Sequence, residues 1–493
     1  MALADNKKKV RGGARGSQIP EARRERLSKR IAEDIMEDIR SRGWPAGELL
    51  GTEAELMARL GVSRATLAEA VRHLERHGAA SMVRGKSGGL RVIAPAEDTI
   101  VRTISTYLEL ADIERSEIVE AWQVMEVHAA GAAAEGIDDQ GVAGLGALLA
   151  EARAASFASE AIASSTRLRI AVAHGAANPA VALFIDAMAH VLGRQEAEAA
   201  TDVLARDLLD GLAKLVSAIE IGDAALAQGV ALLAIPPRAL FAIGRNEGEE
   251  GGVLGGGRKE KLAEAVARFI RADISERGWP VDEKLGEEAV LLDRYGTSRW
   301  VLRQALRVLE AHNIVRSKPG FGGGWMIGRP DPGYTVDLVV GYLRYADFTL
   351  ENVADLWAHL IEQSIQLAGQ RADDAAFDTL IAITQQQAAA TAASDLRAAT
   401  NRYYARLGEL SGNRVIALIV ASLGRFINQT RLRGDRSHIA AMLLRTHKGV
   451  AEALRAGRAG EARRLMAEYM HFSRPYYAQD PALLGARREG GEG

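Results

Sequence analysis

Two serine–arginine pairs, Ser63-Arg64 and Ser298-Arg299, each stand where a glycine-bearing turn gives way to a helical pattern. An arginine there can hold a guanine through two parallel hydrogen bonds or clamp a phosphate, and hydroxyls at Ser63, Thr66 and Ser298 suit phosphate or base contacts. The second helix reads Ser298-Arg299-Trp300-Val301, with Arg303 one turn further on the same face, and Arg72 and Arg307 continue the two basic faces. Behind each helix a glycine-rich hairpin tip adds Arg84, Lys86 and Gly88 in one case and Arg316, Lys318 and Gly323 in the other. Glycines there allow a close backbone approach to a groove. Read blandly, these are solvated helix starts and tight turns. Read together, they are the chemistry of binding a polyanion.

Bond-breaking chemistry finds little support. The chain has no cysteine, which excludes disulfides, thiolate zinc sites and cysteine nucleophiles. Its ten histidines show no zinc-ligand spacing, and there is no Gly-x-Ser-x-Gly. Gly85-Lys86-Ser87-Gly88 lacks the upstream glycine of a phosphate loop and sits in a hairpin. We therefore expect no enzyme and no catalytic residues. The net charge of −2 hides an asymmetry: residues 22–95 and 257–330 each carry 14 Lys/Arg against 10 Asp/Glu, whereas residues 96–250 carry 10 against 24. Basic heads on an acidic body favour an anionic polymer as partner. No apolar run is long enough for a membrane span and the start lacks a signal pattern, so a reducing cytoplasm is expected.

The elements that must position these residues occur twice. Gly43-Trp44-Pro45 returns 235 residues later as Gly278-Trp279-Pro280, and at the same offset Tyr107-Leu108 returns as Tyr342-Leu343, Trp122 as Trp357 and Asn178 as Asn413. A helix near 22–42 with Leu27, Ile31, Ile35 and Ile39 on one face ends at Gly43-Trp44-Pro45, and Thr52 through Glu55 forms a capping box for the next helix. Ser63 opens a third, and β-prone runs then flank the glycine-rich tip. The spacing predicts three helices plus a hairpin, a winged helix-turn-helix, over 21–95 and again over 258–330. Ala- and Leu-rich helical bundles follow over 96–243 and 331–480. Residues 244–257 read as a Gly-rich linker, 1–20 as a disordered basic tail and 481–493 as a frayed end. The expected fold is mainly α, with a pseudo-twofold internal repeat.

The run Leu56-Met57-Ala58-Arg59-Leu60-Gly61-Val62-Ser63-Arg64 through Leu74-Glu75 resembles the GntR superfamily of bacterial regulators. The bundles, with Ser411-Gly412-Asn413 and Asn178-Pro179, resemble the FCD effector domain of its FadR-type branch. The resemblance implies a ligand-responsive transcription factor that binds double-stranded DNA as a homodimer on a short palindrome, usually repressing a catabolic operon. Here both protomers lie in one chain, which is expected to act as an intramolecular pseudo-dimer or as a dimer of tandem chains. The family's arginine four residues after that of Ser-Arg is kept as Arg303 but replaced by Ala68, so an asymmetric operator is expected. A scaffold or co-regulator built from degenerate domains that no longer bind DNA is the alternative.

FCD domains generally hold a divalent metal through an Asp and three His. By resemblance, Ser165, Arg169 and Leu212 occupy three of those positions in the first copy. Thr400, Tyr404 and His447 do so in the second, with Tyr469 near the last and His471 on another helical face. Neither set suits a metal, and no cofactor is expected. Trp122 and Trp357 stand where the family often offers an arginine to an acidic ligand; they are either core or the wall of a larger, apolar pocket with Tyr403 and Tyr404. Arg167, Arg169, Arg402 and Arg406 are either anchors for a carboxylate or phosphate or members of ordinary ion pairs. The ligand class implied is an apolar or aromatic acid or an acyl thioester.

Overall fold

The computed structural model describes residues 21–42, 44–76, 78–83, 85, 88–94, 96–192, 202–233, 258–318, 323–346, 348, 350–429 and 437–478. The sequence-predicted linker and both tails lie outside these residues. The chain divides into two compact units, Met1–Ala94 and Pro95–Gly493.

The first unit is one winged head. Helix α1 (Glu21–Ser41) buries Ile31, Ile35 and Ile39 against α3 (Arg64–Arg76), and α2 (Glu53–Leu60) is opened by the Thr52 cap with its reciprocal Glu55 bond. Strand β1 (Leu49–Gly51) pairs with β3 (Gly89–Val92), which pairs with β2 (Ala80–Val83). The expected hairpin is thus a three-stranded sheet. Gly89 permits the third strand: a Cβ at Gly89, whose φ is +152°, would lie 2.5 Å from the Gly51 carbonyl oxygen. The Gly-Trp-Pro turn does more than stop α1. Trp44, at φ 52°, buries its indole and donates from Nε1 to the Ile93 carbonyl at 2.7 Å, tying the end of α1 to the end of the wing.

The second unit opens with a bundle of α4 (Glu97–Leu110), α5 (Arg115–Gly136), α6 (Asp139–Ala154), α7 (Ala158–Gly175), α8 (Pro179–Leu192), α9 (Asp202–Glu220) and α10 (Ala224–Leu233). A second head follows, with α11 (Arg258–Glu276), β4 (Lys284–Gly286), α12 (Glu288–Tyr295), α13 (Arg299–Ala311), β5 (Val315–Lys318) and β6 (Gly324–Ile327). It repeats the first in detail. Trp279 donates to the Gly328 carbonyl at 2.9 Å, and the strand order is β4-β6-β5. The second bundle comprises α14 (Gly333–Tyr345), α15 (Leu350–Arg371), α16 (Asp374–Ala389), α17 (Ala393–Leu410), α18 (Arg414–Gln429), α19 (Ser437–Arg455) and α20 (Ala459–Ala478).

Helix α8 is apolar almost all round, as a central helix must be, and α18 buries one broad apolar face while Arg414, Arg425 and Asn428 line the other. One continuous apolar core runs from α4, α5 and α8 into α14, α15 and α18, so the bundles share an interior. Their contact is reciprocal. Asn178 donates to the Asn352 carbonyl at 2.8 Å, and its counterpart Asn413 donates to the Glu117 carbonyl, the counterpart of Asn352, also at 2.8 Å. The same contact made twice with roles exchanged is what an isologous interface consists of. The second head joins this unit through α11: Leu110 enters its core, Arg268 lies 3.6 Å from Glu109, and Arg271 pairs with Asp112.

Candidate nucleic-acid interface and effector-domain interiors

In each head the Ser-Arg pair begins the third helix. Ser63 Oγ accepts from the Thr66 amide at 3.2 Å and Ser298 Oγ from the Val301 amide at 3.3 Å, so both serines cap their helices. The arginines project outward. Arg64 Nε lies 2.7 Å from Glu53, with its side chain 79% exposed, and Arg299 Nε lies 3.5 Å from the matching Glu288, 72% exposed. Such exposed pairs contribute roughly 0–1 kcal/mol, little enough for a phosphate or base to take the guanidinium over. Glu53 and Glu288 were not singled out in the sequence; their place at the start of the preceding helix, a fixed distance before each arginine, was the available signal.

The faces differ. Arg303 joins Glu288 at 3.1 Å in the second head, where the first presents the short Ala68, also exposed. Trp300, 47% exposed, stands where the first head has Ala65. Arg72 and Arg307 are exposed along the same faces, Arg72 lying 3.9 Å from Glu69. One expected contact is corrected. Thr66 is 1% exposed and its hydroxyl lies 2.9 Å from Ser63 Oγ, so it faces the core and serves the cap. Its counterpart Val301, an apolar residue at the same repeat position, already signalled an inward side chain.

In the wings, Arg316 is exposed and paired with Asp282, and Lys318 is exposed. Arg84 and Lys86 lie outside the described residues. The glycines serve the wing itself. A Cβ at Gly88 would lie 2.5 Å from the Val83 carbonyl oxygen, and Gly323 leads into β6, where a Cβ at Gly324 would lie 2.7 Å from the Gly286 carbonyl oxygen.

Inside the first bundle, Trp122 and Glu126 lie four apart on one face of α5 and meet Arg169 of α7. Arg169 donates from Nε and Nη2 to the two Glu126 oxygens, each at 2.5 Å, and its guanidinium carbon lies 5.7 Å from the centre of the Trp122 ring. Both ends of this ion pair are buried, at 1% and 4% exposure. Arg167 points the other way, exposed and paired with Glu151. Sequence reading missed Glu126, although a carboxylate where the second copy has the buried Ile361 was a legible signal.

The second bundle closes the same place with neutral groups. Tyr404 packs edge-on against Trp357 at 4.5 Å, and His447 stacks flat on Tyr403 at 3.8 Å. His447 Nε2 lies 2.9 Å from the Tyr404 hydroxyl, and its Nδ1 meets the Gln387 amide, which also donates to Thr400 Oγ1 at 3.2 Å. Complete burial holds the His447 pKa down at about 3, leaving the ring neutral, and pushes the Tyr403 phenol upward. Trp357, Tyr403 and Tyr404 therefore use their faces on one another rather than on an open wall. Arg402 and Arg406 remain outside, hydrogen-bonded to Gln386 and Thr379.

The metal implied by the family resemblance does not fit these donors. A buried guanidinium at Arg169 repels a cation, and Leu212 offers no ligand. In the second bundle one imidazole meets an amide and a phenol, and both its nitrogens already have partners. Among the described residues no three of His, Cys, Asp and Glu gather as a metal site requires. Nor, among them, is any helix long and apolar enough to cross a membrane.

Outward arginines at the start of each winged head's third helix, in a chain whose remaining domains are all-helical, define the class: a helix-turn-helix regulator. The gntR family of bacterial regulatory proteins matches residues 27–89 and 262–324, and the FCD domain matches residues 117–232 and 353–472. Together these matches span well over half the chain, which belongs to the GntR family and carries its head and FCD domain in tandem. It is similar to the HTH-type transcriptional repressor NanR of Cronobacter sakazakii, 37% identical over 82 residues, which are 17% of this chain and 31% of that protein. The Escherichia coli repressor of the same name is 37% identical over 82 residues, 17% of this chain and 30% of that protein. The chain thus spans under a third of these relatives' length. Among solved structures, Streptococcus agalactiae GntR is matched at 20% identity with a TM-score of 0.36, over 43% of this chain and 99% of that one. Lar, which controls expression of the Listeria monocytogenes agr system, is matched at 18% and 0.23, over 44% and 96%.

Proposed function

We propose that this regulator binds a double-stranded DNA operator through both heads, one chain supplying what two protomers supply elsewhere. The observation that carries the reading is the pair of outward Ser-Arg helix starts, each held in reach by an acid that binds it weakly. The reciprocal asparagine contacts between the bundles support a chain that is its own dimer. Repression is proposed by similarity to the NanR repressors, and a catabolic operon as its target by what the family resemblance implies. The operator is an imperfect palindrome, less strictly specified under the first head, because Ala68 replaces a base-reading arginine.

An effector in the bundles shifts the population that binds DNA, and can do so only through unequal affinity for the two states. The apolar or aromatic acid implied by the family resemblance is kept as the effector class; to enter the second bundle it has to open the packed Trp357, Tyr403, Tyr404 and His447 cluster, and no divalent metal takes part. The test is binding of the full chain and of the Arg64→Ala, Arg299→Ala double variant to genomic DNA fragments, followed by fluorescence anisotropy across a salt series. Much weaker binding, with a slope shallower by about 1 per phosphate contact removed where binding is still measurable at low salt, is expected. Unchanged binding by the folded double variant overturns the reading.

A further inference from the structure

We propose that the first bundle contains a carboxylate-binding site whose occupant in this chain is its own Glu126. The two parallel Arg169–Glu126 bonds at 2.5 Å are the geometry by which a guanidinium recognises any carboxylate, whichever molecule carries it. Nothing in the fold demands an ion pair there. The second bundle fills the same two positions with Ile361 and Tyr404, both buried, and a buried pair is often no more stable than apolar residues of similar volume. Arg169 therefore turns a position the family resemblance assigns to a metal ligand into one that attracts an anion.

Size gives the proposal its test. Beyond its Cβ, Glu126 consists of one methylene and a carboxylate, the shape of acetate. Glu126→Ala leaves an acetate-sized space facing Arg169, so an outside carboxylate should enter where the tethered one has been removed. The experiment is thermal unfolding of the full chain in sodium acetate or sodium chloride at equal ionic strength. It involves no nucleic acid, so its failure and that of the DNA reading are separable.

Glu126→Ala is expected to unfold several degrees below the natural chain in chloride, with acetate restoring at least half of the loss and saturating in the millimolar range. The natural chain should respond equally to both salts, because Glu126 excludes the competitor. Glu126→Ala combined with Arg169→Met should show no acetate-specific rise. Acetate indistinguishable from chloride on Glu126→Ala, or a rise that persists without Arg169, overturns the proposal. Should Glu126→Ala fail to fold on expression, refolding from urea decides: recovery only in acetate supports the site, and recovery in neither salt overturns it.

Discussion

The two bundles descend from one pattern yet close the same interior position with opposite chemistry. The first uses full charges, Arg169 against Glu126 beneath Trp122, and the second uses Tyr404, His447, Gln387 and Thr400 around Trp357 without a charge. Both solutions satisfy most of their buried polar groups, so neither is a defect. They differ in what each would admit. A guanidinium relieved of Glu126 would favour anions, whereas a stacked imidazole with a pKa of about 3 stays neutral and aromatic. Duplication within one chain allowed the halves to diverge, because each no longer had to match itself across an interface.

The largest expected effect breaks this comparison directly. Arg169→Met leaves the Glu126 carboxylate buried without its partner and should cost about 3–5 kcal/mol. Tyr404→Phe removes one neutral hydrogen bond from His447 and should cost about 1–3 kcal/mol. Urea unfolding followed by tryptophan fluorescence measures both, and equal losses would erase the distinction between charged and neutral interiors.

The heads offer the next contrast. Arg303→Ala should weaken discrimination in the second half-site by about 1–3 kcal/mol per base pair, while Ala68→Arg should sharpen the first toward it. Competition binding with single-base operator variants reads both. No change from either substitution would mean that this face of the third helix does not touch bases.

Acid should act on the second bundle through His447. Its folded pKa of about 3 lies below the value of about 6.5 expected for the unfolded chain, so its contribution is complete above pH 6.5 and is lost as pH falls toward 3. From pH 6.5 to 5.5 the loss is about 1 kcal/mol. His447→Gln should flatten the stability profile by that amount, leaving the share of His128 and His312, whose burial also lowers their pKa to about 4. An unaltered profile would argue against a neutral buried imidazole.

The smallest effect concerns the bundle contact. Asn413→Ala should cost about 1 kcal/mol more than Asn178→Ala, since Asn413 also donates to Glu120 at 2.9 Å. Thermal unfolding of the two variants under one condition checks the order.

Much of this architecture was legible in the sequence because it obeys local rules. Four-residue apolar spacing placed α1, the Thr52 box placed α2, and the glycine turn before Ser63 placed α3. The strands β1 and β4 escaped notice because three residues leave no period to read. Thr66 was misassigned because a hydroxyl near a helix start fits a cap and a phosphate contact equally well, and only Val301 in the repeat distinguishes them. The interior pairing of Glu126 with Arg169 joins residues 43 apart, which neither helical spacing nor composition can relate. Trp44 and Trp279 were legible as a turn, but their indole bonds to the wing depend on a crossing 49 residues away.

The central claim is that one chain reads DNA with two unequal heads. Selection from a random duplex library by the full chain, beside the Arg64→Ala, Arg299→Ala double variant, tests it most directly. An imperfect palindrome with more information in the half-site under the second head is expected, and no enrichment by the double variant. A perfect palindrome with equal halves would contradict the inequality of the heads, and the same enrichment by the double variant would contradict DNA reading through these helices.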